Sequence, residues 1–242
     1  MGRKLKLCII GNSHVPALKL AWDGGVSQQY PDIEITFFAA PNPLLFELSI
    51  VESALVSHNR QTRESIALTS GIKPRIEPQN YDRFLICGFG TDIDDMINFE
   101  RDWYSSAVVL AGLYDLWNKK PMLGILHMLQ TLTDKPIFAA LQPLNARKKG
   151  NDSALAAVEN FLDWSRQEIF TPLNVPLIMQ PKQTTTPQGS TLKKFLRDAP
   201  RLPHDRQSKG AFYKAVDHSH MNAKYGAIWL RAFFDQHLLP KT

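Results

Sequence analysis

The sequence predicts an α/β protein: a doubly wound, five-stranded parallel sheet in flavodoxin-like order, set in a three-layer α/β/α arrangement. Three observations predict it. Five short runs rich in strand formers, Leu5 to Ile10, Ile33 to Ala39, Arg83 to Cys87, Pro136 to Leu141 and Val175 to Met179, are predominantly apolar rather than alternating. Strands of that kind are buried on both faces, as in parallel sheets covered by helices. The segments between them are long enough for crossover helices. The resulting alternation, joined by right-handed crossovers, leaves few topologies besides this one, in which ligands bind beyond the carboxyl ends of the strands.

In chain order, the first strand is followed at once by a helical pattern from Val15 to Gln29, and the second by another from about Leu44 to His58. After the third strand, Asp94 to Gln130 reads as helix in at least two pieces; after the fourth comes a helix over Asp152 to Phe170. The fifth strand leads into Pro181 to Pro203, whose four prolines and three consecutive threonines predict a long loop, and loops of that length in compact domains are commonly functional. A helix from about Ala223 to Leu238 closes the chain. No internal repeat or composition shift divides it, so residues 1–242 are expected to form a single domain.

A hydrophobic share of 44% and a charged share of 21% belong to an ordinary globular protein, excluding disordered and membrane classes. The net charge of +5 is too small over this length to imply a polyanionic partner, and neither nucleic acid nor membrane is expected to bind. The apolar run Leu7 to Ile10 is too short for a leader or a span. Cys8 and Cys87 lie in strand-like runs, where small buried thiols are the expectation, and a cytoplasmic setting follows. His58, His127, His204 and His237 have no partners at metal-ligand spacing, and no phosphate-binding or dinucleotide motif occurs. No metal or organic cofactor is therefore expected. The five tryptophans fall among apolar neighbours and are expected in the core, although Trp103-Tyr104 also suits a sugar-binding cleft.

Two short motifs carry chemistry. The first strand ends in Gly11-Asn12-Ser13-His14 and a helix begins at Val15, which places Ser13 at a strand-to-helix turn on the active edge of the sheet. A serine there also serves as an ordinary helix cap. Just before the last helix stands Asp217-His218-Ser219-His220-Met221-Asn222. A serine nucleophile needs a base, and the base a carboxylate to hold its tautomer; Asp-x-x-His on one turn supplies both. Alone, the same residues describe a surface turn with Asn222 capping a helix. His14 suits either the pocket or the first helical turn.

Together, Gly-x-Ser after the first strand and Asp-x-x-His-[hydrophobic]-Asn before the last helix resemble the SGNH (GDSL-like) hydrolase superfamily. The resemblance implies the SGNH-hydrolase fold, Ser13 as nucleophile, His220 as base, Asp217 as its carboxylate, and esters, acylated carbohydrates among them, as substrates. Gly226 resembles the family's glycine in the last helix, displaced by one position. The middle of the chain departs from the pattern. Asn12 stands where the family has aspartate, no glycine follows the second strand, and Gly90 or Thr91 replaces the asparagine that helps form the oxyanion hole. The hole is expected to combine Ser13 with Gly90, Thr91 and Asn42, and one such donor is worth roughly 10²–10³ in turnover.

From Pro181 to Lys214 eight basic residues oppose only Asp198 and Asp205. Both ends of that segment are tied to the active edge, so Lys193, Lys194 and Arg197 are candidates for binding an anionic substrate; a solvated loop is the alternative. The rival reading of the whole chain is a non-catalytic glycan- or anion-binding protein that keeps this fold.

Overall fold

A computed structural model describes residues 2–72, 74–90, 105–145, 152–203, 210–214 and 217–239. The main sheet contains β1 (Leu5–Gly11), β2 (Ile33–Ala39), β6 (Arg83–Phe89), β7 (Ile137–Leu141) and β8 (Leu177–Ile178). Their spatial order is β2-β1-β6-β7-β8, and every neighbouring pair is parallel. This is the flavodoxin-like doubly wound order.

Burial on both faces explains why these strands are apolar. In β1, Leu7 and Ile9 turn toward a layer formed by α1 (Val15–Ala21) and α6 (Ala223–Phe233), where they meet Val15, Trp229 and Phe233. Cys8 and Ile10 turn the other way, onto α2 (Arg60–Ser70), α3 (Ser106–Asn118), α4 (Pro121–Leu132) and α5 (Asp152–Ser165), meeting Ile66, Trp117, Ile125 and Phe161. Period-two alternation thus sends successive side chains into two separate cores. Both cysteines are buried and unpaired. Trp22, Trp117 and Trp229 are buried, whereas Trp164 is exposed against expectation, and Trp103-Tyr104 lies outside the described residues.

The helix expected over Leu44 to His58 is not there. A short 3₁₀ turn at Asn42–Glu47 leads instead into an antiparallel hairpin, β3 (Leu48–Val51) and β4 (Ala54–Ser57), extended by β5 (Arg75–Ile76). The paired apolar residues imitated helical spacing, but Glu52 and Ser53 both take positive φ, 49° and 61°, as a two-residue hairpin turn demands. Neither is the Asn-Gly that ordinarily announces such a turn. Helix α2 went unpredicted because few of its residues are apolar. Its ends are nonetheless marked: Asn59 Oδ1 accepts from Thr62 N–H at 3.2 Å, and Gly71 closes it at φ 72°.

Helices α1 and α6 cross at Gly226, where a Cβ would overlap the Ala17 carbonyl oxygen. Among the described residues no helix is long and apolar enough to cross a membrane.

Candidate active site

Strand β1 ends at Gly11, whose α-carbon lies so close to Cys87 of β6 that no side chain fits. Asn12 then enters the interior. Its amide nitrogen donates to the Gly88 carbonyl at 2.6 Å, and its Oδ1 accepts from the His14 N–H at 3.1 Å. Gly88 sits at φ 86°, where the β6–β7 register shifts between Cys87 and Phe89, and a Cβ there would overlap Asn12 Oδ1. The ends of β1 and β6 are thereby tied through one side chain. Ser13 follows this brace directly, with α1 starting two residues later.

The opposing turn precedes α6. Asp217 Oδ1 accepts from the Ser219 N–H at 2.8 Å, the Ser219 hydroxyl at 2.7 Å and the His220 N–H at 3.0 Å. Its Oδ2 lies 3.0 Å from His220 Nδ1. Burial works against a charge on Asp217, but the hydrogen bonds from Ser219 and His220 outweigh it and hold the carboxyl well below the usual carboxylate range. An ionised carboxylate only accepts, so Nδ1 carries the proton, and in the neutral imidazole Nε2 presents its lone pair. That Nε2 lies 2.8 Å from Ser13 Oγ. Ser13, His220 and Asp217 therefore form one continuous line of contacts, drawn from opposite ends of the chain.

Two further rings flank the imidazole. His14 stacks on His220 at 4.9 Å between centroids and 21° between planes; Tyr213 stacks at 4.6 Å and 22°. His14 Nδ1 is sealed from solvent with no hydrogen-bond partner among the described residues. Burial pushes the His14 pKa down to about 3, the neighbouring His220 adds to the shift, and Asp217 opposes it. His14 is therefore neutral. Sequence reasoning left His14 undecided, gave Asn12 no role, and missed Ser219 and Tyr213. The only signal for Ser219 was its place inside the Asp-x-x-His turn.

The expected oxyanion groups are arranged less simply. Among the described residues nothing accepts a hydrogen bond from the Ser13 N–H. Gly90 is buried, and a Cβ there would lie 2.9 Å from Gln142 Cγ, so its small size admits the residue after β7. Asn42 begins the turn after β2, with its Oδ1 buried and without a partner among the described residues. Neither makes a hydrogen bond to Ser13, and Thr91 lies outside the described residues.

The backbone of the basic segment is docked against the turn that carries Asp217 and His220. Asn222 caps α6 by accepting from Tyr225 N–H at 3.2 Å, while its amide donates to Lys194 O at 3.2 Å and Arg197 O at 3.0 Å. The side chains of Lys193, Lys194 and Arg197 are exposed, and Lys194 Nζ stands 5.1 Å from the centre of the Phe195 ring. None of the three has a hydrogen bond or ion pair with Ser13, Asp217 or His220.

A cleft of about 440 Å³ lies at the other end of the sheet, where Pro136 and Val175 lead into β7 and β8. Its Lys135 ammonium is already taken up by the carbonyls of Pro78, Gln79 and Tyr81. Among the described residues no group of three histidine, cysteine or acidic side chains is placed to hold a metal ion.

No family model and no curated protein matches the chain. Similar solved structures include the periplasmic domain of a lipopolysaccharide acetyltransferase from Salmonella ser. Paratyphi A, at 13% identity and a TM-score of 0.48, covering 98% of this chain and 85% of that one. A carbohydrate esterase family 2 enzyme with a carbohydrate-binding domain, from Corynascus thermopiles (Myceliophthora fergusii), gives 12% identity and a TM-score of 0.46, over 98% of this chain and 68% of that one. A DUF4886 family protein from Bacteroides uniformis gives 9% identity and a TM-score of 0.39, over 99% and 96%.

Proposed function

We propose that this chain is an SGNH-type serine hydrolase acting on ester bonds, with Ser13 as nucleophile, His220 as general base and Asp217 as the carboxylate that orients it. The observation that carries this reading is the contact line from Ser13 Oγ to His220 Nε2, 2.8 Å, and from His220 Nδ1 to Asp217 Oδ2, 3.0 Å. Both lengths are within hydrogen-bond reach, as a nucleophile, its base and an orienting carboxylate require. Ser13 Oγ attacks the ester carbonyl as Nε2 takes its proton; the imidazolium, stabilised by Asp217, returns that proton to the departing alcohol. Water then repeats the sequence on the acyl-enzyme.

The oxyanion is assigned to the Ser13 N–H, to Gly90 and Thr91, and to Asn42. The Ser13 N–H, which no acceptor among the described residues takes up, supports the first of these. Acylated carbohydrates are the substrate class implied by the resemblance of the two chain ends to the SGNH pattern.

A fluorophosphonate probe tests the reading. The native chain labels at Ser13 and the Ser13→Ala chain does not, and acetylated oligosaccharides release acetate only with the native chain. Absence of both labelling and hydrolysis, with a glycan still bound, would establish the rival reading of a non-catalytic binding protein.

A further inference from the structure

Of the two rings against His220, Tyr213 also brings a polar group to the reacting edge. It arrives on a short antiparallel ribbon, in which Tyr213 N–H donates to Ala199 O at 2.9 Å and Arg201 N–H to Ala211 O at 2.8 Å, with Pro200 paired to Phe212. The Arg201 guanidinium lies 5.6 Å from the centre of the Tyr213 ring, a cation–π contact that adds to the hold on it. Its hydroxyl stands 3.3 Å from His220 Nε2.

That distance has a chemical meaning. With Nδ1–H committed to Asp217, Nε2 offers one lone pair, and the Ser13 hydroxyl at 2.8 Å claims it. The Tyr213 proton is left for another acceptor. Its oxygen borders the space beside Nε2 that a leaving-group oxygen must enter to collect its proton. Burial, and then the Asp217 carboxylate, push the phenol pKa upward against the opposing charge of Arg201, so the hydroxyl remains a donor at neutral pH.

We propose that the Tyr213 hydroxyl is a further catalytic group, donating a hydrogen bond to the leaving-group oxygen of the ester. This rests on the Ser13–His220–Asp217 reading. In acylation the Ser13 Oγ–carbon bond forms, the Ser13 proton moves to Nε2, the carbon–oxygen bond to the alcohol breaks, and the Nε2 proton passes to that oxygen. Tyr213 keeps its own proton throughout and stabilises the negative charge gathering on the departing oxygen. In deacylation it holds the attacking water in the same place while Nε2 takes one of the water's protons.

The test is Tyr213→Phe, which keeps the stacked ring and removes the hydroxyl. kcat/KM is measured for an alkyl acetate and for p-nitrophenyl acetate on one preparation, so that the ratio is independent of the fraction correctly folded. Nitrophenolate leaves without help, whereas an alkoxide does not. The alkyl ester is expected to lose about tenfold more than the nitrophenyl ester, the effect of one hydrogen bond to a charged group. Equal losses on both esters, or none, would overturn the proposal and leave Tyr213 a packing residue. Ser13→Ala is assayed alongside: loss of its activity upholds the triad whatever the Tyr213 ratio, and full activity removes the triad and the Tyr213 role together.

Discussion

Asn12 and Gly88 are fitted to each other. The Asn12 amide donates to the Gly88 carbonyl at 2.6 Å, and the bare α-carbon of Gly88 is what lets Asn12 Oδ1 sit beside it and receive the His14 N–H at 3.1 Å. An aspartate at position 12 would keep the second contact and turn the first into an oxygen facing an oxygen. Asn12→Asp is therefore expected to destabilise the fold by about 1–3 kcal/mol, as an unsatisfied buried polar group does, and to reduce esterase activity by displacing Ser13. Urea unfolding with an ester assay checks both. Unchanged stability would show that the amide does not tie the strand ends.

His14 predicts a pH dependence with a definite sign. Its pKa falls from the ordinary histidine value of 6.5 in the unfolded chain to about 3 in the fold, chiefly through burial. Between those values the unfolded chain binds a proton that the folded chain refuses. Stability from this group is full above about 6.5 and is lost progressively as the pH drops toward 3. Urea unfolding at pH 7, 5 and 4 is expected to show that decline, and His14→Phe, which keeps a ring against His220, to flatten it. An equally steep decline in the variant would assign it to other groups.

Why some of this was legible in the sequence, and some not, follows from how far each signal reaches. Burial on both faces writes itself directly into a strand's composition, so the five strands and their order were readable from runs such as Leu7 to Ile10. The contacts of His220 with Ser13 and with Asp217 were foreshadowed because each of the three residues sits at an element boundary within a short local pattern. The hairpin at Glu52-Ser53 was not, since its left-handed turn is imposed by the pairing of β3 with β4 rather than by turn residues. Tyr213 was hidden for a related reason. Its ring reaches His220 only because the ribbon with Ala199 and Arg201 folds back, and that pairing leaves no local signature.

Under the proposed mechanism Ser13, His220 and Asp217 are expected to fail together. Ser13→Ala and His220→Ala should each abolish hydrolysis of a short-chain p-nitrophenyl ester, and the double variant should lose no more than either single one, because the groups act as a unit. Thermal unfolding should barely change for Ser13→Ala, which removes a single partly buried hydroxyl. Asp217→Asn retains serine and imidazole and should lose an equal or smaller amount. Losses that multiply in the double variant would show that Ser13 and His220 act independently.

Gly226 lies where the helix that follows Ser13 meets the helix that follows His220. Ser13 precedes α1, His220 precedes α6, and these helices touch where Gly226 faces the Ala17 carbonyl. Gly226→Ala must push the helices apart, at a cost of about 1–3 kcal/mol from overpacking. Because that movement also separates Ser13 from His220, activity should fall under conditions where the variant remains folded. A folded variant of normal activity would show that the crossing tolerates a methyl group without moving the site.

The basic segment predicts substrate charge preference. Asn222 holds it through the backbone oxygens of Lys194 and Arg197, so replacing side chains there leaves its attachment to the turn that carries Asp217 and His220 intact. Lys193, Lys194 and Arg197 are exposed, which makes their influence one of long-range attraction rather than fixed contact. Such attraction raises the local concentration of anions and decays over about 8 Å at physiological ionic strength. Changing all three to Gln should lower kcat/KM for an anionic ester by up to about tenfold at low salt, leave a neutral ester unaffected, and converge with the native chain as salt is added. A salt series on paired anionic and neutral esters reads this directly. Equal rates on the two substrates with no salt slope would assign the three cations to a solvated surface and leave substrate choice to the groups around Ser13.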